Sequence, residues 1–173
     1  ELPTHGGSLR VFAARADATA HPQATPEGAA RVAQLLATEV AAGLMGEVFY
    51  SDFQPQALRI KRELLSFLLQ CQAEGLTVGA YGAAAKGNTL LNFAGVRPDL
   101  LPYVVDINPA KQGQYLPGSR IPIVDEAHLR EHRPDRVLIL PWNLRDEVAA
   151  QLDYVREWGG KLVVAIPRLE VLE

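Results

Sequence analysis

Val78-Gly79-Ala80-Tyr81-Gly82-Ala83-Ala84-Ala85-Lys86-Gly87-Asn88-Thr89 is a short apolar run that passes through a turn of small residues into a helix-forming stretch. The pattern predicts a buried strand, a tight turn and a helix, and Gly82-x-Ala84-x-x-Gly87 has the spacing of the dinucleotide fingerprint with alanine at the middle glycine. Glycine permits the turn and close backbone approach. The unpaired N–H groups that open the helix, at its positive dipole end, suit a phosphate oxyanion. On this view the backbone at Gly82, Ala83 and Gly87 cradles phosphate, and Lys86 adds a point charge that reaches a second phosphate. Asp106, at the end of the next apolar run, is placed to accept hydrogen bonds from a sugar hydroxyl. The plainer alternative is that the small residues only let the helix pack on the sheet and that Asp106 caps a turn.

Outward from this segment, four uninterrupted β-branched runs follow one another: Leu76 to Tyr81, Pro102 to Ile107, Arg136 to Leu140 and Lys161 to Ile166. Helical stretches separate them at Asn88 to Ala94, Asp125 to Glu131 and Leu144 to Trp158. Strand and helix in alternation predict an α/β, Rossmann-like, mostly parallel sheet flanked by helices. Residues Asn108 to Pro122 break the rule, being rich in Gly, Pro, Gln and Ser. A connection that long is more often a binding loop than idle chain.

Ahead of the sheet, Thr25-Pro26-Glu27 starts a helix, with Thr as N-cap and Pro at the first helical position, and Gly43 and Gly46 end it. A second helix is expected from about Gln54 to Ala73, with Cys71 on its apolar face as a core residue. Ser8 to Ala14 reads as a short strand, and 1–24 as an arm and linker. Residues 25–173 then form the Rossmann-like domain, including leading helices over 25–75. The chain opens on Glu1-Leu2-Pro3 without an initiator Met, which suggests an excised fragment.

Composition narrows the function classes. The chain has 173 residues, 48% hydrophobic and 21% charged, the balance of a globular domain. Its net charge of −3 provides no global field for polyphosphate backbones, so nucleic acid is not expected as a partner. No apolar run approaches the roughly 20 residues of a membrane span. The single cysteine forms no internal disulfide, and the four histidines stand in no ligand spacing with it. A reducing, cytoplasmic setting and no metal follow as expectations.

Other polar residues gather at the predicted carboxyl edge of the sheet: Asn108 and Lys111 in the loop after the second run, and Trp142 and Asn143 after the third. Trp142 either stacks on a base or packs beneath the loop. Asn143 either touches ligand or caps the helix that follows, and Asn88 and Thr89 carry the same ambiguity. His5 lies on the arm within reach of a site or in a structural role. His128 and His132, spaced i, i+4, form half of a metal site or, more simply, part of a solvated helix face.

Five motifs in order carry a resemblance: HGGSLR (His5 to Arg10), YGAAAKGNTLLN (Tyr81 to Asn92), VVDINPAKQGQYLPG (Val104 to Gly118), IPI (Ile121 to Ile123) and LILPWN (Leu138 to Asn143). Together they resemble the C-terminal domain of S-adenosylmethionine-dependent C-methyltransferases that act on nucleotide-linked deoxysugars. The resemblance implies a partner chain region upstream, with a zinc-binding domain and a central domain that binds the methyl donor. It implies that the general base, carried by a Tyr-His-Glu-His stretch, lies outside this chain, which would be inactive alone and would bind no cofactor itself. This domain then helps hold a nucleotide-sugar substrate of the dTDP type. Substrate contacts are expected from Gly82, Ala83, Lys86, Gly87, Asn88, Asp106, Asn108, Lys111 and Asn143, and no catalytic residue is expected. Two other classes remain open: an NAD(P)-binding module of an oxidoreductase, and a degenerate Rossmann domain that only packs against its neighbours.

Overall fold

The computed structural model describes residue 2, residues 7–15, residue 17 and residues 25–172. The chain divides into two compact units, 1–56 and 57–173.

In the first unit, α1 (Pro26–Ala41) begins as its sequence predicts. Thr25 is extended and its hydroxyl accepts from the Gly28 amide at 3.1 Å, with Pro26 in the first turn. None of its residues is buried; Val32, Leu36 and Val40, one stripe at i, i+4 and i+8, are 60%, 55% and 62% exposed. A short α2 (Glu47–Ser51) follows, unforeseen because it spans little more than one turn. The strand expected over Ser8 to Ala14 does not form. Ser8 makes one antiparallel bridge to Leu2, and residues 9–15 are irregular. Apolar residues make a strand only against a partner edge, and Leu9, Val11 and Phe12 stay exposed without one. Most of the linker expected before residue 25, with His5 and His21, lies outside the described residues.

The second unit is the α/β domain. After α3 (Phe53–Ala73), whose Leu64, Leu68 and Cys71 are buried, come β1 (Val78–Tyr81), α4 (Ala85–Ala94), β2 (Val104–Val105), β3 (Ile123–Val124), α5 (Glu126–His132) and β4 (Arg136–Ile139). A 3₁₀ turn (Trp142–Leu144), α6 (Arg145–Gln151), a second 3₁₀ segment (Asp153–Trp158), β5 (Lys161–Val164) and β6 (Glu170–Leu172) complete it. The strands run in the order β3-β2-β1-β4-β5-β6; neighbours pair in parallel except β6, which is antiparallel to β5.

Both faces of this sheet are covered, which is why its strands read as unbroken apolar runs. Val78, Ala80, Leu138, Leu140 and Val163 join α3 and α4 residues in one buried cluster. Tyr81, Val137, Ile139, Leu162 and Val164 join α5, α6 and the second 3₁₀ segment in the other. Successive side chains take opposite faces, so the five parallel strands serve both clusters. The expected Leu144 to Trp158 helix is broken into α6 flanked by 3₁₀ turns. Two strands escaped the sequence reading: β3, only two residues just after the Gly/Pro loop, and β6, the sole antiparallel member. Strand order reverses between β1 and β4, the point where open α/β sheets place ligands beyond the carboxyl ends.

Candidate functional site

The turn from β1 to α4 is pinned from both sides. Gly82 has φ +90°, and a Cβ there would stand 2.5 Å from Pro141 Cδ, so glycine is required by backbone and by space. Gly87 is required by packing: a Cβ would lie 2.6 Å from Leu140 Cβ, which brings α4 down on β4. The Gly82 amide donates to Val105 O at 2.7 Å and the Ala84 amide to Gly82 O at 2.7 Å. Ala84 is the N-cap of α4 and no side chain caps the first turn. The helix therefore opens with amides that lack a capping side chain, as an anion site would need.

Asp106 takes the plainer of the two roles weighed for it, capping a turn, and adds further contacts to it. It is 7% exposed, and its Oδ2 accepts from the Ala83 amide at 2.8 Å and from Lys111 Nζ at 2.9 Å. Its Oδ1 accepts from the Asn108 amide at 2.9 Å, and Lys111 Nζ also donates to Ala83 O at 3.0 Å. Asn108 Oδ1 in turn accepts from the Ala110 amide at 3.0 Å, and Gln112 Nε2 donates to Asp106 O at 2.9 Å. A buried carboxylate needs such partners, and here they clasp the 106–112 loop to the β1–α4 turn. The Ala83 amide, expected to face phosphate, is thereby occupied by Asp106. Lys111, half-buried, and Asn108, exposed, are both bonded within this clasp.

The remaining expected residues separate onto two sides of the turn. On the β4 side, Lys86 Nζ donates to Asn143 Oδ1 at 2.6 Å and lies 5.4 Å from the centroid of the Trp142 ring. Trp142 packs, partly buried, against the α3/α4 core cluster, so of its two alternatives packing holds. Asn143 sits inside the 3₁₀ turn, and α6 starts from Leu144 with no side-chain cap. On the β2 side, the Asn88 side chain accepts from Asn92 Nδ2 at 3.1 Å, and Thr89 Oγ1 donates back to Ala85 O at 3.1 Å. Asn92 Nδ2 also donates to Pro117 O at 2.9 Å, tying α4 to the long loop.

A cavity of about 370 Å³ lies on that β2 side. Ala83, Ala84, Ala85 and Ala110 line it, together with Asn88 and Lys111. Gln114 and Tyr115 also line it and were missed by the sequence reading. The signal available was the length of the 108–122 loop and an aromatic residue within it, but nothing in the sequence shows which way that ring turns.

The histidine pair is not simply a solvated face. His128 and His132 stack at 3.7 Å between ring centroids, and Tyr103 meets His128 edge-on at 4.6 Å. Among the described residues no three His, Cys, Asp or Glu side chains gather to hold a metal ion. Burial, and then the neighbouring His132, push the His128 pKa below its ordinary value. Burial lifts the Tyr81 and Tyr103 hydroxyls to about 12, so both stay protonated near neutrality. Among the described residues no helix is long and apolar enough to cross a membrane.

A family model described as the C-methyltransferase C-terminal domain matches residues 3–167. The chain belongs to that family. In Streptomyces niveus, the C-methyltransferase NovU is 36% identical to it over 168 residues, which is 97% of this chain and 39% of NovU. The C-methyltransferase C-terminal domain thus spans well under half the length of that relative. Residues 82–111 lie inside the matched region, so the clasped turn and its cavity belong to the family's own domain.

Proposed function

We propose that this domain is the part of an S-adenosylmethionine-dependent C-methyltransferase that holds a nucleotide-linked keto-deoxysugar, of the dTDP type, while the rest of the polypeptide supplies the chemistry. The observation that carries this reading is the start of α4, without a capping side chain, opening beside a cavity at the carboxyl edge of a parallel sheet. The amides of Ala85, Lys86 and Gly87 take the diphosphate. Lys86, exposed beside them, supplies the counter-charge, with Asn143 as its partner, and Asn88 contributes a polar contact from the second turn. Asp106, Asn108 and Lys111 act as positioning residues that hold the Gly82–Ala83 turn in shape.

The corner does not fit the methyl donor. An adenosyl ribose calls for a carboxylate free to accept from its hydroxyls, and Asp106 is buried with both oxygens engaged. Donor binding, proton removal beside the keto group and methyl transfer to that carbon accordingly fall to groups outside this chain. The same engaged carboxylate, with Pro141 pressed beside Gly82 on the β4 side of the turn, weighs against a dinucleotide laid across the β1–β4 crevice. A cytoplasmic location agrees with a substrate of this kind and with the one buried, unpaired cysteine.

Steady-state kinetics of the full-length enzyme test the reading. Lys86→Ala is expected to raise the KM for the sugar nucleotide about tenfold with kcat little changed, the mark of lost ground-state binding. An unchanged KM, or micromolar NAD binding without any response to a thymidine diphosphate sugar, would overturn it.

A further inference from the structure

Two asparagines of α4, one turn apart, fix each other's amide orientation. Asn92 lies outside the cavity lining, and its Nδ2 donates to Asn88 O at 2.9 Å and to Pro117 O at 2.9 Å. Both are main-chain carbonyls, which only accept, so the nitrogen end of the Asn92 amide has one possible placement. Its oxygen end is walled by the long loop. Gly118 has φ +81°, and a Cβ there would run into Asn92 Oδ1. Ser119, 1% exposed, anchors the same turn in the protein.

The Asn92 Nδ2 also lies 3.1 Å from the Asn88 side-chain oxygen. Reversing the Asn88 amide would set two donors against each other, so its Oδ1 stays on Asn92. The Asn88 Nδ2, which has no acceptor among the described residues, is thereby left for the cavity that Asn88 lines. Lys111 lines the cavity too, but its ammonium is bonded to Asp106 and to Ala83 O. What Asn88 offers a bound molecule is thus an uncharged N–H donor.

We propose that Asn92 is a positioning residue: it holds Asn88 so that the cavity meets an amide donor, which selects for an accepting oxygen on the substrate, phosphoryl or carbonyl. The proposal rests on the nucleotide-sugar reading above and gives its Asn88 contact a direction. By bonding Pro117 O as well, Asn92 fixes that donor relative to the loop wall.

A double-mutant cycle in the full-length enzyme, read by steady-state kinetics on the nucleotide sugar, tests this. Asn88→Ala is expected to raise KM about tenfold with kcat little changed, as for one lost hydrogen bond to a charged acceptor. With Asn92→Asp the donor is gone, so Asn88 turns its nitrogen toward the new carboxylate and its oxygen toward the cavity, and KM rises by a similar factor. In the Asn88→Ala background, Asn92→Asp is expected to add less than about twofold. The same factor in both backgrounds, as a merely structural Asn92 would give, overturns the proposal. Asn88→Asp keeps the oxygen to which Asn92 donates, and so decides the matter even where Asn92→Asp does not fold. Its melting temperature should match the parent's and its KM exceed that of Asn88→Ala; a KM no higher than the alanine variant's overturns the donor assignment. Inhibition by inorganic pyrophosphate tells the two acceptors apart, weakened by Asn88→Ala for a phosphoryl contact and unchanged for a carbonyl. A parent-like KM for Asn88→Ala beside a raised KM for Lys86→Ala overturns this inference alone, whereas parent-like values for both overturn the substrate reading with it.

Discussion

Asp106 and Gly87 show how single residues set the β1–α4 corner. A carboxylate at the end of β2 in this fold suggests a group waiting for a sugar hydroxyl, yet Asp106 spends both oxygens on two backbone amides and Lys111. The sequence supplied its position but not its partners, because Lys111 reaches it only through a loop whose path no periodicity reveals. Gly87 is a case where two effects of opposite sign compete. Alanine in the first turn of a helix would gain up to about 1 kcal/mol of propensity. Its Cβ, however, would stand 2.6 Å from the Cβ of buried Leu140, an atom that cannot swing aside. Overpacking of that kind costs about 1–3 kcal/mol, so the clash prevails. Gly87→Ala is therefore expected to lower the melting temperature by a few degrees, and a rise on thermal denaturation would contradict the packing argument.

At the scale of elements, α5 holds a histidine, His128, whose shifted pKa links stability to pH. Asp125 caps its start, accepting from the His128 amide at 3.0 Å, and the His128 ring is pressed between His132 and Tyr103. Burial, followed by repulsion from His132, depresses the His128 pKa, with Glu131 and Asp125 opposing. A depressed histidine pKa means that the unfolded chain binds a proton first as pH falls. Stability is then whole above about pH 6.5 and declines below it, toward the folded-state value. Melting temperatures measured from pH 8 down to pH 5 should show this decline in the parent protein and a shallower one in His128→Gln. The four apolar runs and the α4 and α5 segments were legible because uninterrupted β-branched stretches and helical spacing survive in one dimension. β3 and β6 were not, since two- and three-residue strands exist only where a neighbouring edge completes their hydrogen bonds.

Across the whole molecule, apolar burial is unevenly distributed. Both buried clusters are built from residues of the 57–173 unit, and no described residue before 57 is buried. A chain that starts at Phe53, keeping all of α3, is thus expected to unfold cooperatively with a melting temperature close to that of the parent. Loss of the sigmoidal transition by circular dichroism would show that the first unit contributes more than its exposure suggests.

What the linear order of residues decided is the α/β class, the parallel sheet and the place of the Gly82 turn. Hydrophobic period, glycine and capping residues act over a few neighbours and need no knowledge of the rest. Only the folded chain decided that Asp106 and Lys111 close on Ala83, that Lys86 turns toward Asn143, and that Gln114 and Tyr115 face a cavity. Those contacts join residues far apart in sequence, and their geometry is set by how helix α4 and the 106–122 loop pack on one sheet, which local pattern does not encode.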